Sequence, residues 1–182
     1  MSSRRLGTAV AAILFVAFAA FLVAPASSAP DAGPKPAAIA WVRLDAAVAS
    51  AAKSGKPIVV TVFADWCGYC RLMERTTFVD PTVVRQVAQG WIPAKVNGES
   101  DAMLKLGKVS MTENQWAIAN GVQGFPAMFL LDAKGKPFAA YPGYLDGPQL
   151  AQFLEDASLY LKTGGASKNG DFFTWVDKKR KG

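Results

Sequence analysis

Histidine is absent from the 182 residues, and cysteine occurs only twice. The first absence excludes a His-based catalytic triad, a histidine general base and imidazole metal ligation. The second leaves too few thiols for a closed four-thiolate site, so a metal reading needs a second Cys-x-x-Cys from another chain. Acidic residues are outnumbered, with Asp+Glu 14 against Lys+Arg 20. That excess is local: Arg4 and Arg5 stand at the front, and Lys178-Lys179-Arg180-Lys181 nearly closes the chain. No basic stripe interleaves with aromatics elsewhere, which argues against a nucleic-acid surface. No internal repeat is present. Chemistry is left to the thiols, carboxylates, lysines, tyrosines and backbone.

Long uncharged apolar runs are confined to Leu6 through Val23, behind the positive Met1-Ser2-Ser3-Arg4-Arg5. Ala24-Pro25-Ala26 then offers small residues for cleavage. Residues 1–26 therefore read as a secretory signal peptide. The run is close to the roughly 18–20 residues needed to span a bilayer, so an uncleaved N-terminal membrane anchor is the alternative. Either places the rest outside the cytoplasm. No cysteine follows the run, which argues against a lipoprotein. Residues 27–38 are rich in Pro, Ala and Ser and read as a linker, unable to bury enough surface to offset ordering entropy. The length then suits one domain, 39–163, and an extension, 164–182, with a basic end.

The two cysteines are Cys67 and Cys70, two positions apart, within Ala64-Asp65-Trp66-Cys67-Gly68-Tyr69-Cys70. Such a pair is suited to cycling between dithiol and disulfide. Ile58 to Phe63 is a continuous apolar or β-branched run, expected as a strand buried on both faces. Arg71-Leu72-Met73-Glu74-Arg75 supplies helix formers, predicting a helix from Cys67 to about Thr77. The first cysteine then sits at a helix N-terminus, where a thiolate is favoured.

Around this pair, Trp41–Leu44 predicts a short edge strand, and Asp45 a cap for a helix burying Ala47, Val48 and Ala51. Asp80-Pro81 opens a further helix with Val83, Val84 and Val87 on its apolar face. Residues 91–97 predict a second strand, and residues 98–111 carry no clear pattern. Thr112-Glu113-Asn114-Gln115 is a capping-box pattern. Residues 127–131 and 137–141 predict a hairpin about Asp132-Ala133-Lys134-Gly135. Asp146 caps a last helix with Leu150, Phe153, Leu154, Ala157 and Leu161 in one stripe. The order β-α-β-α-β-β-α implies an α/β fold with a mixed central sheet and helices on both faces.

With these elements in order, the chain resembles the thioredoxin-like superfamily. The resemblance rests on Ala64 to Cys70, on Lys95-Val96-Asn97, on Gly124-Phe125-Pro126, and on Gly143 before the final helix. It implies a three-layer sandwich and an exported thiol–disulfide oxidoreductase. Two subgroups are most similar: the C-terminal domain of the DsbD electron transporter and the SoxW-type periplasmic thioredoxins. The second is preferred, for the longer stretch before the Trp116 helix, the aromatic tail around Phe172, Phe173 and Trp175, and the lack of a multi-span membrane portion.

The resemblance implies that Cys67 attacks a substrate disulfide and that the more buried Cys70 resolves the mixed disulfide. It implies a cis peptide before Pro126, with the Gly124-Phe125-Pro126 loop exposing backbone to a substrate strand. Lys95 and Asp65 would support the site, the charges of Asp65 and Arg71 offsetting each other. Trp66 would pack beside the pair, and Gly68-Tyr69 would set its redox poise. One departure matters: where the family places a buried acid, six residues before the first cysteine, this chain has Thr61. No metal and no cofactor beyond a redox-active Cys67–Cys70 disulfide is implied. The expected partners are disulfide-bearing periplasmic proteins and a membrane electron donor of the DsbD type. An oxidase or isomerase running the same site in the other direction, or a binding module that uses only the fold, are the alternatives. A plain structural disulfide is disfavoured, because so short a loop adds little stability.

Overall fold

The structure, a computed structural model, describes residues 38–182. The leader and residues 27–37 of the linker lie outside the described residues. The folded part contains β1 (Val42–Arg43), α1 (Leu44–Ser54), β2 (Ile58–Phe63), α2 (Gly68–Arg75), α3 (Pro81–Gly90) and β3 (Ile92–Asn97). Then come β4 (Met103–Leu106), β5 (Val109–Thr112), α4 (Glu113–Ala119), β6 (Ala127–Leu131) and β7 (Pro137–Pro142). Three helices follow: α5 (Gly147–Lys162), α6 (Gly165–Asn169) and α7 (Phe172–Lys181). Among the described residues no helix is long and apolar enough to cross a membrane.

Five strands form one mixed sheet in the order β1-β3-β2-β6-β7. β2 and β3 run parallel, with Thr61 opposite Lys95 and Phe63 opposite Asn97. β2 and β6 run antiparallel, with Thr61 opposite Met128. The alternation of side chains along each strand divides the core into two layers. Ile58, Val60 and Val62 join Ala94, Val96, Phe129 and Leu131 under α1 and α4. Val59, Met128 and Leu130 face the other way, with Met73, Val83, Val87, Leu150 and Leu154 from α2, α3 and α5. β7 is an edge strand, and prolines at both its ends deny a partner strand two backbone donors.

Local chemistry explains most helix boundaries. Asp80 caps α3 by accepting from Thr82 and Val83 N–H, with Pro81 in its first turn. Thr112 with Gln115 and Asp146 with Gln149 close reciprocal capping boxes on α4 and α5. Two expectations are corrected. Asp45 lies inside α1, whose N-cap is Arg43; the Asp45 carboxylate instead accepts from Ala46 N–H and pairs with Arg43. The patternless stretch is a separate two-stranded hairpin, β4 with β5, whose buried Leu104 and half-buried Leu106 and Met111 pack on the α1 side of the sheet.

The C-terminal segment packs on the domain. Phe172 and Val176 are buried in the α3–α5 layer. The Phe172 ring lies edge-on to Phe138, Phe153 and Tyr160 at centroid distances of 5.9, 5.8 and 5.3 Å. Lys179 Nζ and Arg180 Nη2 reach the buried Asp156 carboxylate at 2.7 and 3.3 Å.

Candidate active site

The site lies where parallel β2 ends and α2 begins. A buried strand delivers Ala64 to the rim, and the chain turns through Asp65-Trp66 into α2. Cys67 is the N-cap of α2, at φ −68° and ψ 108°, so the helix starts one residue later than expected. Its Sγ accepts from Cys70 N–H at 3.0 Å, which satisfies one of the orphan donors of the first turn. Cys67 and Cys70 are joined as a disulfide, with Cα atoms 5.2 Å apart.

Both cysteines are buried, Cys67 at 2% and Cys70 at 7% exposure. The expectation that Cys70 is the more buried is therefore not met. Both thiols belong to one cluster with Ala64, against which Phe63 and Phe125 pack. The Phe125–Pro126 peptide is cis, and Pro126 C=O accepts from Gly143 N–H at 2.8 Å. That bond ties the Gly124-Phe125-Pro126 loop to the turn after β7.

The rim is apolar and open. Trp66 is 66% exposed and Tyr69 63%. The indole N–H of Trp66 donates to Glu99 Oε2 at 2.8 Å, and its ring stands edge-on to Phe125 at 6.1 Å. Tyr69 leans on Tyr144, with centroids 6.0 Å apart. Gly68 is exposed, with open space where a side chain would stand. Asp65 is also exposed, and Arg71 Nη1 donates to its backbone carbonyl at 2.9 Å. Arg71 thus ties down the turn through a peptide carbonyl.

Thr61 is buried on β2, between Lys95 and Met128 in register. Lys95 is paired with Glu74 of α2, and its ammonium lies 5.4 Å from the Trp41 ring centroid and 5.8 Å from that of Phe63. Sequence reasoning did not single out Glu74 or Glu99. Glu74 follows Cys70 by four residues and so shares its helix face, a spacing readable in advance. Glu99 meets Trp66 across 33 residues, and no local pattern signals that contact. Among the described residues no cluster of three or more His, Cys, Asp or Glu side chains could hold a metal ion.

Residues 44–158 match the family described as "Thioredoxin-like domain". The chain belongs to this family. Over 127 residues it is 30% identical to the thiol:disulfide interchange protein DsbD of Yersinia pestis (strain Pestoides F), covering 66% of this chain and 19% of that protein. The chain therefore spans about a fifth of the length of such curated relatives. In fold it is similar to a thioredoxin from Thermus thermophilus, with TM-score 0.59 at 21% identity, covering 74% of this chain and 95% of that one. It is also similar to the DsbH oxidoreductase, with TM-score 0.54 at 20% identity over 70% of this chain and 88% of that one. A disulfide-bonded Cys67–Cys70 pair in this family is a thiol–disulfide oxidoreductase centre.

Proposed function

We propose that the chain is an exported thioredoxin-like reductase of disulfides in periplasmic proteins, recharged by a membrane electron donor of the DsbD type. The observation that carries the reading is the Cys67 Sγ held as the N-cap acceptor of α2. In the dithiol state the same position favours a Cys67 thiolate, through the Cys70 N–H and the helix dipole. The likeness to DsbD supports periplasmic work, and the apolar leader supports export.

The reaction runs in two exchanges. The Cys67 thiolate attacks one sulfur of the substrate disulfide; that S–S bond breaks, and the other sulfur leaves as a thiolate. Cys70, once deprotonated, attacks Cys67 Sγ; the mixed disulfide breaks, and the second substrate sulfur leaves. Two electrons have passed to the substrate, and the Cys67–Cys70 bond has formed. The donor returns two electrons by the reverse exchange, so the disulfide itself is the only redox group required. Thr61 cannot take the Cys70 proton. The Cys70 proton passes to water, and Glu74, four residues on along α2, pairs with Lys95. Trp66, Tyr69 and Phe125 form the surface that a disulfide-bearing chain meets, and Phe125 in the Gly124-Phe125-Pro126 loop offers backbone to it.

The test is the reduction potential of the Cys67–Cys70 couple together with turnover of a protein disulfide. A value near about −270 mV with reductase turnover fits the proposal. A value near about −120 mV assigns the site to oxidation and overturns it.

A further inference from the structure

Among the described residues, Phe125 is the one half-buried side chain that packs against both the sheet core and the disulfide cluster. Its ring rests on Gly98, the residue after β3. A Cβ placed on Gly98 would stand 2.3 Å from Cε1 and 2.6 Å from Cζ of Phe125, and 3.2 Å from Cγ1 of Val62. Carbon atoms at contact lie about 3.5–4.0 Å apart, so a side chain here and the ring exclude each other.

Gly98 is not needed for its backbone, since it is not among the glycines at positive φ. Nor is that backbone free to retreat. Its N–H donates to Phe63 C=O at 2.8 Å, and its C=O accepts from Asn114 Nδ2 at 2.7 Å. The ring is what must move. It packs on the sheet-core cluster that includes Val62, meets Trp66 at the rim, and packs against the cluster of Ala64, Cys67 and Cys70.

We propose that Gly98 is a positioning residue of the redox site. Its missing side chain is the seat of the Phe125 ring, and that seat holds the ring against the cluster of Ala64, Cys67 and Cys70 and sets the shape of the substrate-facing rim. The proposal deepens the reading of Cys67 as the attacking thiol and rests on it.

The test is a double-variant cycle in the full chain: Gly98→Ala, Phe125→Leu, and both together. Leucine lacks the Cε1 and Cζ atoms that the new methyl would strike. The readouts are the pH profile of Cys67 alkylation in the reduced protein and kcat and KM for a protein disulfide. With Phe125 present, Gly98→Ala displaces the alkylation midpoint and lowers kcat/KM roughly tenfold, mainly through KM. In the Phe125→Leu background, the same change alters neither. An equal effect in both backgrounds, or none with Phe125, overturns the seat. If Gly98→Ala does not fold, recovery of the fold in the double variant supports the seat, and failure to recover overturns it. The alkylation profile needs no turnover, so a chain that reduces no substrate sinks the proposed function while the cycle still decides the role of Gly98.

Discussion

The two ends of this domain treat aromatic side chains in opposite ways. At the C-terminal end, Phe172 is 1% exposed and lies edge-on to Phe138, Phe153 and Tyr160, with Asp156 holding two cations over the same helices. At the disulfide end, Trp66 and Tyr69 are left two-thirds in water, held at the rim by Glu99, Phe125 and Tyr144. Burying a phenylalanine contributes about 1.5–3 kcal/mol, so the first arrangement is a source of stability. Exposing two large rings beside a buried disulfide forgoes that gain. The difference separates the part of the fold that keeps it together from the part that meets other chains.

The largest effect falls on chemistry alone. Cys67→Ser removes all disulfide turnover while the melting temperature, compared with that of the natural dithiol form, changes little, because the C-terminal packing is untouched. Turnover assays and thermal melts check both halves.

Phe172→Ala does the reverse. It empties a site among aromatic rings and costs about 3–5 kcal/mol, read by denaturant titration. In the folded fraction, Cys67 alkylation follows the pH profile of the natural protein. A shifted profile would join the two ends and break the comparison.

Asp156→Asn is smaller. Burial alone would raise this carboxyl, but the Lys179 hydrogen bond and charge, with Gln152 and Arg180, outweigh it and hold the group below its usual 3.8. A folded value below the unfolded one stabilises the protein above the unfolded pKa, and the contribution fades as pH falls through the folded value. Asp156→Asn therefore costs about 1–2 kcal/mol at neutral pH, less than a fully buried pair, since Lys179 and Arg180 both keep access to water. The gap from the natural protein narrows below about pH 4, as melts across pH will read.

Glu99→Gln is the smallest change, because an amide oxygen still accepts the Trp66 indole N–H. Stability moves by about 0.5 kcal/mol or less. Glu99→Ala releases the ring and raises KM for a protein disulfide more than it lowers kcat. An equal effect of both variants on KM would remove the indole bond from the account.

Where local chemistry decides a boundary, the amino-acid pattern reveals it. Asp80-Pro81, the Thr112–Gln115 box, the Asp146 cap and the Ile58–Phe63 run are each self-contained signals, and each forms its expected element. The β4–β5 hairpin was not legible, since its strands are four residues each and its half-buried face alternates with Lys105 and Ser110. Cys67 and Cys70 stand out by being the only thiols. Their surroundings do not: Glu99 reaches Trp66, and Gly98 seats Phe125, through contacts that only the closed sheet creates. The burial order of the two thiols, Cys67 at 2% and Cys70 at 7%, likewise carries no local signal, since Phe125 packs on their cluster from a distant part of the chain.

The claim that Cys67 attacks and Cys70 resolves is tested most directly by trapping. Cys70→Ser, exposed to a disulfide-bearing protein under non-reducing conditions, accumulates a reductant-sensitive covalent adduct through Cys67, while Cys67→Ser does not. Absence of an adduct with Cys70→Ser, or its appearance with Cys67→Ser instead, contradicts the account.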